Sequence, residues 1–354
     1  MVIERRVSGQ SAGPAEEQAF FTLRPSRLED YIGQRELVAK LRIALEAARA
    51  RKEPVGHILF HGPPGLGKTT LSHIIAEEMG TRLIKTSGPS LTRPADLMGI
   101  LTGLQEGDVL FIDEIHRLPR PVEEFLYPAM EDFRVDFVVD QGPMARTLNF
   151  PLRRFTALGA TTRPGSLTAS LRERFYLLYH VDFYAAEELQ EIVRRSALRL
   201  GVPIEPGACA ELARRSRGTP RTANRLLLWA RDFCQAKGDG AIRLGQVREA
   251  LAMEGVDEIG LDGLDRSYLR TIIEHYGGGP VGVEAIAATM NEEADTLVDM
   301  VEPFLLRAGL VQRTRGGRRA AAASYRHLGL ALPPGPRPGG AQPGLWAGEE
   351  TPGD

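Results

Sequence analysis

The residues of this chain whose types and spacing can do chemistry begin at Gly62-Pro63-Pro64-Gly65-Leu66-Gly67-Lys68-Thr69. The string satisfies G-x-x-x-x-G-K-[ST], follows the apolar run 57–61 and leads into the helix-like TTLSHIIAEEMG, which is the setting a phosphate-binding loop requires. Glycines let such a loop curl until its backbone N–H groups converge, and the helix N-terminus behind it adds positive potential. Lys68 is then placed to reach β- and γ-phosphates, and Thr69 to ligate Mg²⁺. Further on, Asp108-Val109-Leu110-Phe111-Ile112-Asp113-Glu114 reads as a buried strand ending in paired carboxylates. A magnesium ligand beside a water-activating base needs that pairing, with Asp113 on the metal and Glu114 polarising the water. His116 next to them reads as structural.

Phosphoryl transfer to water also needs positive charge on the developing γ-phosphate and a group that senses its loss. Three places downstream qualify: Thr161 and Thr162 at the end of TALGATT, Arg172 and Arg174 in SLRERF, and Arg221, which opens a helix after Gly218-Thr219-Pro220. Near the end of the chain, Arg313, Arg315, Arg318 and Arg319 cluster around Gly316-Gly317. Four arginines on a hairpin suit the phosphates of a nucleic acid backbone.

The elements that must position these groups follow from the hydrophobic pattern. HILFH (57–61), RLIKTS (82–87), DVLFID (108–113) and RFTALGATT (154–162) alternate with helix-like stretches such as 35–51, which predicts an α/β fold with a parallel sheet covered on both faces. Residues 133–150 break that rhythm with two alternating segments around Gln141-Gly142-Pro143, the pattern of a projecting β-hairpin. From 184 to 256 the pattern is wholly helical, each segment closed by glycine. From Leu261 to Leu328 come three short helical segments and a stretch, GLVQRTRGGRRAAAASYRHLG, that reads as two strands around a glycine turn. That order suggests a winged helix. Residues 1–20 read as a flexible arm and the Pro/Gly-rich 329–354 as a disordered tail.

Bulk composition bounds the function. A length of 354 residues suggests two or three domains, and 43% hydrophobic with 25% charged residues is ordinary for a soluble protein. Lys+Arg 44 against Asp+Glu 46 leaves a net charge of -2, so any nucleic acid site must be local rather than a property of the whole surface. Cys209 and Cys234 show no C-x-x-C or Cys/His spacing, which argues against a disulfide framework or a zinc site. No apolar run reaches the ~20 residues of a membrane span, and the N-terminus has no signal-like core, so a cytoplasmic protein is expected.

With these residues in view, the chain resembles the AAA+ ATPases and, among them, the RuvB family of bacterial Holliday-junction branch-migration motors. The resemblance rests on LRPSRLEDYIGQ (23–34), HILFHGPPGLGKTTL (57–71), LFIDEIHRL (110–118), YPAMEDFRVD (127–136), GATTRPGSLT (159–168), LRERF (171–175) and GTPRTANRLL (218–227), in that family's order, and on the terminal winged helix. It implies an AAA+ ATPase domain over 21–183, a helical lid over 184–256 and a winged-helix domain over 257–328. It also implies ATP and Mg²⁺ as cofactors. Leu23, Arg24, Tyr31 and Ile32 would hold the adenine end with Tyr184, while Gly65, Gly67, Lys68, Thr69 and Thr70 take the phosphates and Glu131, Asp132 and Phe133 lie near the site. Thr162 would sense the γ-phosphate, Arg221 would act as a second sensor on the lid, and Arg174 as an arginine finger in a neighbouring subunit's site. The implied assembly is a homohexamer around duplex DNA that works on Holliday junctions with RuvA, docked on the 133–150 hairpin, and with the RuvC resolvase. Arg313 and Arg318 align with the family's DNA contacts. The wing sequence RTRGGR lacks the family's proline, Ala294 stands where a basic contact is common, and Tyr176 replaces a usual glycine. A clamp-loader subunit and a winged-helix regulator switched by ATP are the rival readings.

Overall fold

The computed structural model describes residues 22–139 and 146–332. These fall into two compact units, one built from the chain up to 265 together with 295–304, the other from 266–294 together with the chain from 305. The expected arm at 1–20, the tail beyond 332 and the tip of the 133–150 hairpin lie outside the described residues.

The first unit is built on a five-stranded sheet. Its strands are β1 (Ile58–His61), β2 (Leu83–Ser87), β3 (Val109–Asp113), β6 (Thr156–Thr161) and β7 (Leu177–His180), in the order β2-β3-β6-β1-β7 and all parallel. Side chains alternate between the faces of a strand, and the buried residues sort accordingly. Ile58, Phe60, Val109, Phe111, Leu158 and Ala160 join one apolar cluster, Leu59, Leu110, Ile112 and Ala157 the other. Helix α1 (Arg35–Arg51) and helix α2 (Lys68–Met79) cover the first face, and α3 (Pro94–Thr102) and α4 (Arg120–Glu131) the second. The hairpin is formed by β4 (Arg134–Val139) and β5 (Arg146–Pro151), paired antiparallel from Arg134↔Pro151 to Val139↔Arg146.

Four helices follow short α5 (Ala169–Glu173): α6 (Ala186–Arg199), α7 (Pro206–Arg215), α8 (Pro220–Lys237) and α9 (Leu244–Met253). Their apolar faces, with Leu189, Val193, Leu212, Leu226 and Leu251, belong to the same cluster as the sheet's first face. Cys209 and Cys234 are both free and buried there.

In the second unit, helix α10 (Val283–Met290) accompanies a hairpin of the strands β8 (Val311–Thr314) and β9 (Gly317–Ala320), with Arg315-Gly316 at the turn. Val281 extends the ribbon, exchanging two backbone hydrogen bonds with Arg318.

Two expectations need correction. The stretch after Arg319 is not all strand: Ala322–Leu328 is helical, as Ala322 and Ala323 at its start, with their high helix propensity, allow. The sequence reading also lacked β7. That strand is short and lies at the sheet edge, with Leu178 47% exposed, so it carries little of the apolar signal that reveals a central strand.

Candidate functional site

The phosphate loop leaves the carboxyl end of β1, between β6 and β7, and enters α2 at Lys68. This is the crevice at the carboxyl ends of strands where open parallel sheets bind ligands. Gly62, Gly65 and Gly67 all have positive φ, at 143°, 79° and 101°. Sterics compound the requirement at two of them. A Cβ on Gly62 would lie 2.2 Å from the Val181 carbonyl, and one on Gly67 would lie 2.8 Å from the Tyr31 hydroxyl, so only glycine fits.

Lys68 is buried, and its Nζ donates to the carbonyls of Gly62 and Pro63, both at 2.8 Å. Burial pulls its pKa down to about 8, against the pull of the Asp113 carboxylate. Asp113 ends β3, where burial raises its carboxyl above the ordinary range despite the Glu114 backbone N–H, which donates to it at 2.9 Å, and the nearby cations Lys68 and Arg221. Glu114 sits at φ 47°, a left-handed conformation uncommon outside glycine, and accepts from Arg117 at 3.1 Å. Backbone of that kind persists where the surroundings over-determine it, often at active sites.

Thr161 and Thr162, kept open as alternatives by their spacing, separate in the structure. The Thr161 Oγ1 is engaged, 3.0 Å from His116 Nδ1 and accepting from the Arg163 N–H at 3.0 Å. The Thr162 Oγ1 is buried without a hydrogen-bond partner. A buried hydroxyl is costly to leave unpaired, and this one lies at the end of the strand between the phosphate loop and Asp113. His116, read as structural, bonds to Thr161 and is held below its usual pKa by burial.

The helical part of the unit closes the loop from the other side. The Arg221 N–H donates to the Gly65 carbonyl at 3.2 Å, and Thr219 caps α8 by accepting from the Thr222 N–H. The hydroxyls of Tyr31 and Tyr184 meet at 2.7 Å, and Tyr184 donates to the Leu66 carbonyl at 3.1 Å. Burial pushes Tyr31 up to about 12 and Tyr184 in the same direction. A pocket lined by Leu23, Arg24, Tyr31, Ile32, Thr70 and Tyr184 opens beside Gly67. Sequence reading missed three of its other walls, Arg195, Arg199 and Asn224. Arg199 donates to the Leu23 carbonyl at 2.7 Å and Arg195 to the Asp30 carbonyl at 3.3 Å. Their i, i+4 spacing in VRRSALRL was visible as one face of a helix, but nothing local pointed that face at residues 23–31.

Not every expected residue joins this constellation. Arg174 caps α5, pairs with Glu131 at 3.1 Å and lies over the Tyr127 ring at 4.0 Å. Phe133 packs edge-on against Phe155, and neither it nor Glu131, Asp132 or Arg174 lines the pockets that flank the phosphate loop. In the other unit, Arg313 faces Arg318 directly across the ribbon, and Gln312 faces Arg319. Among the described residues no group of three or more His, Cys, Asp or Glu side chains forms a metal cluster, and no helix is long and apolar enough to cross a membrane.

Comparison with known proteins covers nearly all of the described chain. Residues 23–181 match the model of the Holliday junction DNA helicase RuvB P-loop domain, 184–257 that of the RuvB AAA lid domain, and 258–329 that of the RuvB C-terminal winged helix domain. The Holliday junction branch migration complex subunit RuvB of Desulfosudis oleivorans is 61% identical over 310 residues, 88% of this chain and 90% of the relative. That of Chloroflexus aurantiacus is 53% identical over 333 residues, 94% and 95% of the two chains. The solved structure of the Thermotoga maritima RuvB Holliday junction branch migration motor superposes with a TM-score of 0.81 at 47% identity, over 88% of this chain and 100% of that one.

Proposed function

The chain belongs to the RuvB family of AAA+ P-loop ATPases, a nucleotide-binding family, and from that premise we propose that it is an ATP-hydrolysing motor driving branch migration of Holliday junctions in DNA recombination and repair. The observation that carries the reading is the constellation around the phosphate loop: Lys68 and the Asp113 carboxylate within electrostatic reach, Glu114 beside them and the unpartnered Thr162 hydroxyl on the strand between.

Each group has a task that its position supports. The glycine loop and the Lys68 ammonium take the phosphates, and the pocket at Leu23, Arg24, Tyr31, Ile32 and Tyr184 takes the base. Thr69 lies in the first turn of α2 and Asp113 ends β3, so a hydroxyl and a carboxylate are available as hard oxygen donors; they would hold Mg²⁺, which supplies charge neutralisation on the phosphates when bound. Glu114, oriented by Arg117, polarises the attacking water, and the Thr162 hydroxyl registers the γ-phosphate. Arg221 is bonded through its backbone to Gly65, so a change in the loop reaches α8 directly. Arg174 acts on the site of a neighbouring copy in a homohexameric ring, with Glu131, Asp132 and Phe133 at that boundary. Arg313 and Arg318 hold duplex backbone, and the β4–β5 hairpin docks RuvA, with RuvC joining a larger cytoplasmic complex. A clamp-loader role would not call for paired arginines on the wing.

The test is ATP-dependent dissociation of a synthetic four-way DNA junction by the purified protein, with and without RuvA. Dissociation that requires ATP, increases with RuvA and is lost in Lys68→Ala is the expected result. Robust ATPase activity with no junction movement under either condition would overturn the motor reading while leaving the fold intact.

A further inference from the structure

We propose that Arg163 and Asp299, with Asp295, form a switchable link between the γ-phosphate side of the nucleotide site and the segment that leads into the basic hairpin, and that they act as positioning residues for DNA-stimulated hydrolysis. The proposal rests on the motor reading above. At one end of the link, Arg163 directly follows Thr161 and Thr162 at the carboxyl end of β6, and its N–H donates to the Thr161 Oγ1. Thr161 in turn meets His116, which senses the charges of Glu114, Arg163 and Asp299 together.

At the other end, the Arg163 guanidinium reaches a segment 136 residues away. Its Nε donates to Asp299 Oδ1 at 2.9 Å, its Nη2 to Asp299 Oδ2 at 2.8 Å, and Nη2 also lies 2.9 Å from Asp295 Oδ1. The fork on Asp299 is bidentate, the geometry in which arginine gives direction as well as charge and in which lysine cannot substitute. Asp299 lies within Leu297–Val301, a π-helical turn inside an otherwise α-helical run. Such turns are rare and often mark functional positions.

Independent support comes from the pocket on the outer side of the phosphate loop. Gly65 and Arg221 form part of its wall, and Asp299, Met300, Pro303 and Phe304 form another part. The segment therefore borders the loop as well as the sensor strand. Covalently it runs on through Glu302–Arg307 to β8, which carries Arg313. Movement of the β6 end when Thr162 engages or loses a phosphate must either carry the segment along or break the fork, and the two outcomes are two discrete states.

An ordinary exposed ion pair would add little stability and nothing else. A link makes a different demand. If nucleotide alters DNA affinity through Arg163, DNA must alter nucleotide affinity by the same factor. The experiment uses the full chain and four variants: Arg163→Lys, Arg163→Gln, Asp299→Asn and the swap Arg163→Asp with Asp299→Arg. ATPase kcat and KM are measured with and without duplex DNA, and DNA affinity is measured with ATP and with ADP. The expected result is basal kcat within about two-fold of wild type in every variant. In the three single variants stimulation by DNA and the ATP/ADP ratio of DNA affinities both fall by about five-fold or more, and the swap restores both. Wild-type stimulation in the single variants would overturn the link, as would equal loss of basal and stimulated activity or failure of the swap to restore either ratio. A wild-type ATPase indifferent to DNA would instead sink the motor reading itself.

Discussion

Lys68 shows how much chemistry one side chain's surroundings decide. Its ammonium is buried and satisfied by the carbonyls of its own loop, and its pKa is down to about 8. Phosphates bind the charged form, so above that value binding must take up a proton. The sign follows: nucleotide affinity is flat where Lys68 is already protonated and weakens as pH rises through about 8, approaching ten-fold per pH unit. Titrating a fluorescent ATP analogue between about pH 6.5 and 9.5 reads this directly. Lys68→Arg, whose guanidinium keeps its proton, should abolish the slope whatever it does to the affinity; a wild-type slope that survives in that variant would assign it to another group. This part of the site was legible in the sequence because the loop, lysine and following helix are contiguous, and the physical reason for each glycine is local. Spacing alone did not distinguish Thr161 from Thr162, since both lie at the end of the same strand; only the family resemblance favoured Thr162. The distinction depends on His116 occupying one hydroxyl and leaving the other buried and unpartnered.

At the scale of elements, the β8–β9 ribbon places Arg313 directly opposite Arg318. Two guanidinium groups at directly opposed positions share one face of the ribbon and can contact the same stretch of phosphate backbone. Each of Arg313→Ala and Arg318→Ala is expected to weaken duplex binding equally for unrelated sequences, and to lower the slope of log K against log salt by about one. Arg319, opposite Gln312 and on the alternate face of its strand, serves as the comparison and should leave the slope near wild type. Fluorescence anisotropy across a salt series decides it; slopes unchanged in both variants would remove these arginines from the interface. The pairing itself could not be read from the sequence, because a shift of one residue in the turn would put Arg313 against a different partner. The central strands, by contrast, announced themselves, being buried on both faces and so apolar without interruption. β7 and the helix Ala322–Leu328 were missed for the converse reason. An exposed edge strand has only part of that pattern, and an alanine run after a hairpin carries no period.

At the scale of the whole molecule, the role proposed for Arg174 is a matter of assembly. Within one chain Arg174 is committed to Glu131 and the Tyr127 ring, away from the pockets beside Lys68. If it completes the site of a neighbour, an active interface needs Lys68 from one copy and Arg174 from the next, a head-to-tail contact that a ring can close. Arg174→Ala and Lys68→Ala proteins should each be inactive alone. Mixed in equal amounts and allowed to exchange subunits, they assort so that about a quarter of interfaces pair an intact loop with an intact finger. ATPase should therefore recover toward about a quarter of the wild-type rate if interfaces fire independently, and to less if firing requires active neighbours. Ring assembly in the mixture, followed by mass photometry, supplies the control. Intact mixed rings with no recovery at all would place the action of Arg174 within its own chain, and its contacts with Glu131 and Tyr127 would then have to open during each turnover for the side chain to reach Lys68's phosphates.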